Sequence, residues 1–99
     1  MPIEATARNK DIPAKALEYA REKAAAIEGE FEKVSQVRAV LDADRHVFKA
    51  QFDATVHGEG FAASAEDAGN LVKAIDMAWD KLFAQIRKRQ AIVGDNRKA

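Results

Sequence analysis

The sequence predicts an α+β fold, a two-layer sandwich with the element order β-α-β-β-β-α. In several short segments apolar and polar residues alternate, as in strands that bury one side. Two longer segments repeat their apolar residues every three to four positions, as amphipathic helices do. The middle strands are separated by short polar breaks, which favours an antiparallel meander within a four-stranded sheet. Each helix has one apolar stripe, so we expect both helices on the same apolar face of the sheet.

The first part of the chain contains a short strand and a helix. Residues 3–7 alternate weakly and form the first strand of the prediction. Pro13 suits the first position of a helix, and apolar residues then recur on one stripe as far as Phe31. Gly29 is a residue type that ends helices, so the spacing predicts a helix over about 13–28.

The middle of the chain contains the three strands of the meander. Residues 34–41 alternate, and the acidic stretch 42–44 predicts a turn. The clearest strand signal covers 48–56, where five apolar residues alternate with polar ones. Two glycines within 57–60 favour a hairpin connection, and 61–65 supplies a short last strand.

A long final helix ends the fold. It begins near Leu71, and Gly94 is its predicted end. With 99 residues the chain is expected to form one domain over 1–93, followed by a short flexible tail over 94–99. The apolar stripe of this helix consists of Leu71, Ile75, Ala78, Leu82 and Ile86.

Composition excludes several classes of function. The chain has no cysteine, which excludes disulfides, zinc ribbons and thiol catalysis and is compatible with the cytosol. No apolar run approaches the length of a membrane span, and the first residues lack the pattern of a signal peptide. We therefore expect a cytoplasmic protein without a membrane partner.

No constellation in the sequence supports an enzyme. His46 and His57 lie at opposite ends of one predicted strand, too far apart to share a metal ion. Asp53 has no second acid beside it for acid–base work, and the glycines near 58–60 lead into a strand and not into a helix. We expect no cofactor, no metal and no small-molecule substrate.

Charge is distributed unevenly along the chain. Lysine and arginine together number 16, as do aspartate and glutamate, so the formal net charge is zero. Residues 81–99 nevertheless contain six basic residues and one acid, which leaves the preceding part acidic by the same margin. This pattern indicates a mildly acidic body with a basic end.

Helical spacing suggests how the basic residues are arranged. Lys81 and Lys88 fall on one flank of the last helix, with Asp76 and Asp80 away from it, and Lys23 falls on one flank of the first helix. If those flanks face each other, the three lysines line a groove that could bind phosphates, extended by two arginines. The alternative is that bases late in a helix complement its dipole and keep it in solution. The candidate RNA-binding residues are Lys23, Lys81, Arg87, Lys88 and Arg89.

Four short motifs in the second half of the chain, with a basic run after Gln85, carry a family resemblance. The motifs are Asp53-Ala54-Thr55, Ala63-Ser64-Ala65-Glu66, Ala74-Ile75-Asp76 and Asp80-Lys81-Leu82. In this order they resemble the short ribosome hibernation promoting factors and the ribosome-associated translation inhibitors, historically named sigma-54 modulation proteins. Ile12-Pro13 and Lys23 fit the same pattern in the first helix.

The resemblance implies a domain like that of double-stranded RNA binders. It also implies binding to the small ribosomal subunit near the decoding centre, through basic residues of both helices against rRNA. Such binding blocks mRNA and tRNA and silences translation under stress or in stationary phase, in some members together with another ribosome-associated factor that pairs ribosomes. Two positions that are often basic in the family are Ala26 and Ala84 here.

A second function remains open at this point. The polar face of the predicted sheet, or its free edge strand, could dock a protein partner, as the sigma-factor name suggests. That face carries Arg38, Lys49, Gln51, Asp53 and Thr55. Co-sedimentation with ribosomal subunits discriminates between the two functions.

Overall fold

The structure is a computed structural model that describes residues 3–98, with side chains as far as Gln90. Its order of elements confirms the predicted fold class. The elements are β1 (Ile3–Ala7), α1 (Ala14–Glu30), β2 (Val34–Asp44), β3 (Val47–Val56), β4 (Glu59–Ala68) and α2 (Leu71–Lys98).

The four strands form one sheet in the order β1-β2-β3-β4. β1 pairs with β2 in parallel, whereas β2–β3 and β3–β4 are antiparallel. A parallel pair needs a crossover connection, and α1 supplies it. Because the other two connections are tight turns, the three later strands form the predicted meander.

Both helices cover the same face of the sheet, as predicted. α1 packs on β1 and β2, and α2 packs on β3 and β4. The face of α1 toward the sheet is built mainly from small residues, with Ala16, Ala20 and Ala24 buried beside Ile27. The largest fully buried side chains come from both layers: Phe52, Ile27, Leu41, Ile75, Leu82, Ile86 and Val37.

The two hairpins use residues with positive φ. His57 (φ 53°) and Gly58 (φ 76°) form the β3–β4 connection, a pair of angles that matches the right-handed twist of the strands. At the β2–β3 turn Arg45 (φ 60°) plays the corresponding role. His46 and His57 are both exposed, which agrees with their expected place at the ends of a strand.

Several element ends differ from the predicted ones. The acidic stretch 42–44 is not a turn, because Asp42 pairs with Lys49 and the ladder continues to the end of β2. β4 is likewise longer than predicted, since pairing with β3 runs over its whole length. α1 passes Gly29 and ends where the Phe31 N–H bonds the Ile27 carbonyl at 3.2 Å.

The two ends of α2 have different causes. The Asn70 side chain accepts a hydrogen bond of 3.0 Å from the Lys73 N–H, which caps the first turn. At the other end the helix passes Gly94, the predicted stop, because one glycine weakens a helix without breaking its hydrogen-bond ladder. The boundary between a domain over 1–93 and a flexible tail over 94–99 stays a prediction, and residues 1, 2 and 99 lie outside the described part.

The described residues were also compared with the requirements of a membrane span and of a metal site. Across residues 3–98 no helix combines the length and the apolar character needed to cross a membrane. Among the side chains that the structure describes, no group of three or more histidines and carboxylates could hold a metal ion.

We predict that the alanine face of α1 tolerates no added volume. Ala24 is fully buried, so Ala24→Leu forces the helix from the sheet and lowers the free energy of unfolding by about 1–3 kcal/mol. Ala25→Leu is the matched control, because Ala25 is exposed on the same helix. Urea denaturation measures both variants, and equal stabilities would contradict the packing described here.

Candidate nucleic-acid interface

The two helices run in the same direction across the sheet. Contacts between them advance together along both chains, from Tyr19 with Asp76, through Lys23 with Trp79, to Phe31 with Phe83. Parallel helices that lie side by side on one sheet present opposite flanks to each other. The flank of α2 that faces α1 therefore carries Asp76, Trp79 and Phe83.

The predicted groove of three lysines is not formed. Lys23 lies between the helices, whereas the Lys81 ammonium bonds the Ser64 carbonyl of β4 at 3.2 Å, on the other side of α2. Lys88 follows Lys81 by seven residues, two helical turns, and shares its flank. The predicted groove requires antiparallel helices. In an antiparallel pair, flanks at the same angle from the apolar stripe of each helix face each other. Asp76 does lie away from the flank of Lys81, as predicted, but it faces Lys23 of α1.

Lys23 instead belongs to an interhelix cluster of Tyr19, Lys23, Asp76 and Trp79. Its ammonium lies 4.0 Å from the centroid of the Trp79 ring and 3.8 Å from Asp76 Oδ1. The Trp79 indole N–H donates to the Lys23 carbonyl at 2.8 Å, and the Tyr19 hydroxyl donates to Asp76. The Lys23 side chain is only 26% exposed. The cluster joins a charge, an aromatic face and a backbone group across one interface.

Sequence reasoning missed this role for Tyr19, Asp76 and Trp79. Counted at about 100° per residue, Trp79 falls off the centre of the apolar stripe of α2, which is the available signal that it does not point into the core. The same count puts Tyr19 and Lys23 on one flank of α1. Only the direction of the helices decides what that flank meets, and the direction follows from sheet topology.

The hydrogen bond to Asp76 perturbs Tyr19. It raises the pKa of Tyr19 to about 12, because the phenol must lose the proton that it donates to a carboxylate. Smaller parts of the same shift come from desolvation and from the nearby charges of Asp76, Asp80 and Glu22, all of which raise the pKa. The cluster therefore extends the pH range in which Tyr19 stays neutral and donates to Asp76.

The basic residues of the second half of α2 point in different directions. Arg87 lies on the side of α1, with its guanidinium 3.7 Å from Glu30 and 5.3 Å from the centroid of the Phe83 ring. Arg89 lies on the side of the sheet and bonds Glu59 at 3.0 Å. Lys88 lies between them on the outer surface, because consecutive helical residues are about 100° apart. We call these three residues the basic collar, because they point to three different sides of the helix.

A shallow depression of about 670 Å³ separates the basic collar from the end of the sheet. Phe31, Phe61 and Ile86 contribute apolar surface to it, and Glu30 and Glu59 lie at its margin. These two carboxylates are the partners of the two arginines of the collar. Arg89 also lines the depression, which therefore combines apolar and acidic side chains with one arginine of the collar, whereas Arg87 and Lys88 do not line it.

The outer face of the sheet carries charges of both signs in cross-strand order. Arg38 lies opposite Asp53 in the β2–β3 register and forms an ion pair of 3.4 Å with Glu4. Lys49 lies opposite both Asp42 and Glu66. Because each cation on this face has acidic neighbours, the face presents no net positive surface.

Comparison with known proteins gives a consistent picture of the fold. A ribosomal subunit interface protein from Coxiella burnetii is 22% identical, covers 92% of this chain and 99% of its own, and superimposes with a TM-score of 0.78. The Protein Y N-terminal domain of Thermus thermophilus is 24% identical, covers 89% and 98%, and gives a TM-score of 0.74. A sequence comparison with functionally characterised proteins finds no significant match.

The fold and the surface define a small α+β domain that presents basic residues on its second helix. Residues 3–92 match the family described as sigma 54 modulation protein / S30EA ribosomal protein, and the chain belongs to that family. Members of this family are non-enzymatic ribosome-binding factors. The family assignment and the fold confirm the resemblance stated from the sequence motifs.

We predict that the only tyrosine of the chain titrates far above its ordinary range. Ultraviolet titration should give Tyr19 a pKa of about 12, and Asp76→Asn should bring it back toward 10.0, because Asp76 is the main cause of the shift. The stability that Tyr19 contributes is fully present below pH 10.0 and is lost as the pH rises through about 12. A midpoint unchanged by Asp76→Asn would contradict the contact across the helices.

Proposed function

We propose that the protein binds the small ribosomal subunit near the decoding centre, through contacts of α2 with rRNA. It occupies space that mRNA and tRNA need and so inhibits translation under stress or in stationary phase. Membership of a family of ribosome-binding factors supports this proposal. The mechanism is steric and electrostatic and needs no cofactor. Its place of action is the cytoplasm, where ribosomes are.

The observation that carries the proposal is the density of exposed cations late in α2. Residues 81–90 contain four basic residues and no acid. Lys81, Arg87, Lys88 and Arg89 are all exposed. Cations concentrated in this way neutralise neighbouring phosphates and release the counterions that those phosphates hold. Arginine adds the option of two parallel hydrogen bonds to one phosphate.

The ion pairs of the basic collar are compatible with this role. The pairs Arg87–Glu30 and Arg89–Glu59 join half-exposed side chains, and pairs of this kind contribute only about 0–1 kcal/mol. A phosphate can therefore replace the carboxylate at small cost. Until it does, the two glutamates hold the guanidinium groups near the surface of the helix.

A protein-interaction module that uses the sheet remains the alternative. The cross-strand charges of the outer face neutralise one another, and Lys81 covers one carbonyl of the β4 edge. Neither feature favours a protein partner on the sheet, and the tests below include the result that would support one.

A second ribosome-associated factor that pairs ribosomes would act after the small subunit is bound.

We predict that two lysines of α2 are needed for inhibition. Lys81→Gln with Lys88→Gln removes two charges from one exposed flank and should lower the affinity for small subunits by about tenfold or more. Surface changes of this kind alter stability by less than about 0.5 kcal/mol, so the fold should be kept. Binding is measured by co-sedimentation and inhibition by translation in an extract.

The matched control removes two charges from the outer face of the sheet. Arg38→Gln with Lys49→Gln gives the same change in net charge and should leave binding and inhibition close to those of the unmodified protein. Both variants are first checked by circular dichroism and thermal melting. If the sheet variant loses inhibition and the helix variant keeps it, the assignment to α2 is wrong and the interaction module is favoured.

We also predict a steep dependence of binding on salt. If four cations neutralise about four phosphates, log K should fall against log salt with a slope near −3, by the single-strand coefficient. Titration of fluorescently labelled protein with small subunits at several salt concentrations measures this slope. An affinity that does not change with salt would indicate a protein partner.

A further inference from the structure

We infer that Lys23 is a positioning residue of the RNA-binding surface and not one of its phosphate contacts. The inference rests on the proposed function, because it concerns how the cations of α2 are held for RNA. Its basis is the interhelix cluster together with the row of aromatic rings that continues from it.

The ammonium of Lys23 is already occupied from two sides. Trp79 covers it with its ring face, and Asp76 lies at ion-pair distance. A cation placed over an indole and beside a carboxylate is neutralised locally, and its side chain is mostly covered. A phosphate that reached Lys23 would have to displace one of these partners.

The surroundings of Lys23 also repel a phosphate. Three carboxylates lie near enough to Tyr19 to raise its pKa, namely Glu22, Asp76 and Asp80. A phosphate that approached Lys23 would therefore meet carboxylates at close range. Anions are attracted instead to residues 81–90, which contain no acid.

A row of aromatic rings connects the interhelix cluster to the basic collar. Trp79 stacks on Phe83 with 4.8 Å between ring centroids, and Phe83 contacts Phe31 of the α1 end at 5.1 Å. The guanidinium of Arg87 lies over the same Phe83 ring. Lys23 and Arg87 are therefore the two ends of one cation–ring–ring–cation contact chain.

This contact chain explains how Lys23 can affect RNA binding from a distance. The Trp79 indole bonds the Lys23 backbone carbonyl, which fixes the ring relative to α1. Phe83 is then fixed by Trp79, and Arg87 by Phe83 and Glu30. Loss of the Lys23 side chain leaves this backbone bond in place but removes the cation from the Trp79 ring face and from Asp76. This loosens the order of the rings and moves Arg87, but it removes no phosphate contact.

The test distinguishes the loss of a phosphate contact from the displacement of a cation that still contacts phosphate. Each lost phosphate contact lowers the magnitude of the salt slope by about 0.7–0.9, whereas displacement lowers affinity at an unchanged slope. Lys23→Met should weaken binding to small subunits a few-fold and leave the slope as it is. Lys88→Met is the comparison variant, and it should reduce the slope by about one phosphate contact.

Fluorescence gives an independent signature, because Trp79 is the only tryptophan. Lys23→Met should change the Trp79 emission, Lys23→Arg should restore both emission and affinity, and Lys88→Met should leave the emission unchanged. Trp79→Phe removes the indole N–H and should repeat the affinity loss of Lys23→Met at an unchanged slope. It serves as the second variant if Lys23→Met fails to fold.

Two results would overturn the inference. A slope reduced as much by Lys23→Met as by Lys88→Met would make Lys23 a phosphate contact. An affinity unaffected by both Lys23→Met and Trp79→Phe would remove the positioning role. If the unmodified protein shows no salt-dependent binding, the proposed function itself fails, and this is recognised before any variant is compared.

Discussion

The parallel direction of the two helices is the constraint on which the rest of the molecule depends. It follows from the sheet, because β1 and β2 are parallel and the next two connections are antiparallel turns. α1 returns against β2 and α2 returns against β4, so both helices run the same way. That direction decides which flanks meet. It brings Lys23 to Trp79 and leaves Lys81 on the outer flank beside β4.

The sequence predicted the elements well because their signals are local. Strict alternation over β3 and an apolar stripe on each helix depend only on neighbouring residues. Element ends were less predictable, since strand pairing extended β2 through Asp42 and ordinary helix hydrogen bonding carried α1 past Gly29. In both cases a long-range or cooperative interaction outweighed the preference of a single residue type.

The candidate site was predicted only in part, for a related reason. The concentration of bases after Lys81 is visible in the sequence, and these residues are exposed in the structure. Their relation to Lys23 is not visible, because wheel angles describe one helix at a time. Each partner of Lys23 lies off the apolar stripe of its helix, and helical spacing shows only that much. Their assembly into one cluster required the topology, which couples residues more than fifty positions apart.

A formal net charge of zero gives the protein a weak long-range field, so the proposed attraction to RNA depends on the local surface. The outer sheet face and the interhelix cluster pair their charges internally. The second half of α2 combines exposed cations with partners that are easily exchanged, Glu30 and Glu59. The difference between internally paired charges and exchangeable ones favours binding in one orientation. In that orientation α2 faces the nucleic acid and the sheet faces away from it.

Site-specific cross-linking tests this orientation most directly. A photoreactive group is placed at position 88 on α2 or at position 49 on the outer face of the sheet, and each protein is bound to purified small subunits. The account predicts cross-links to rRNA from position 88, near the decoding centre, and none from position 49. Cross-links to rRNA from position 49 alone, or to a ribosomal protein alone from either position, would contradict it.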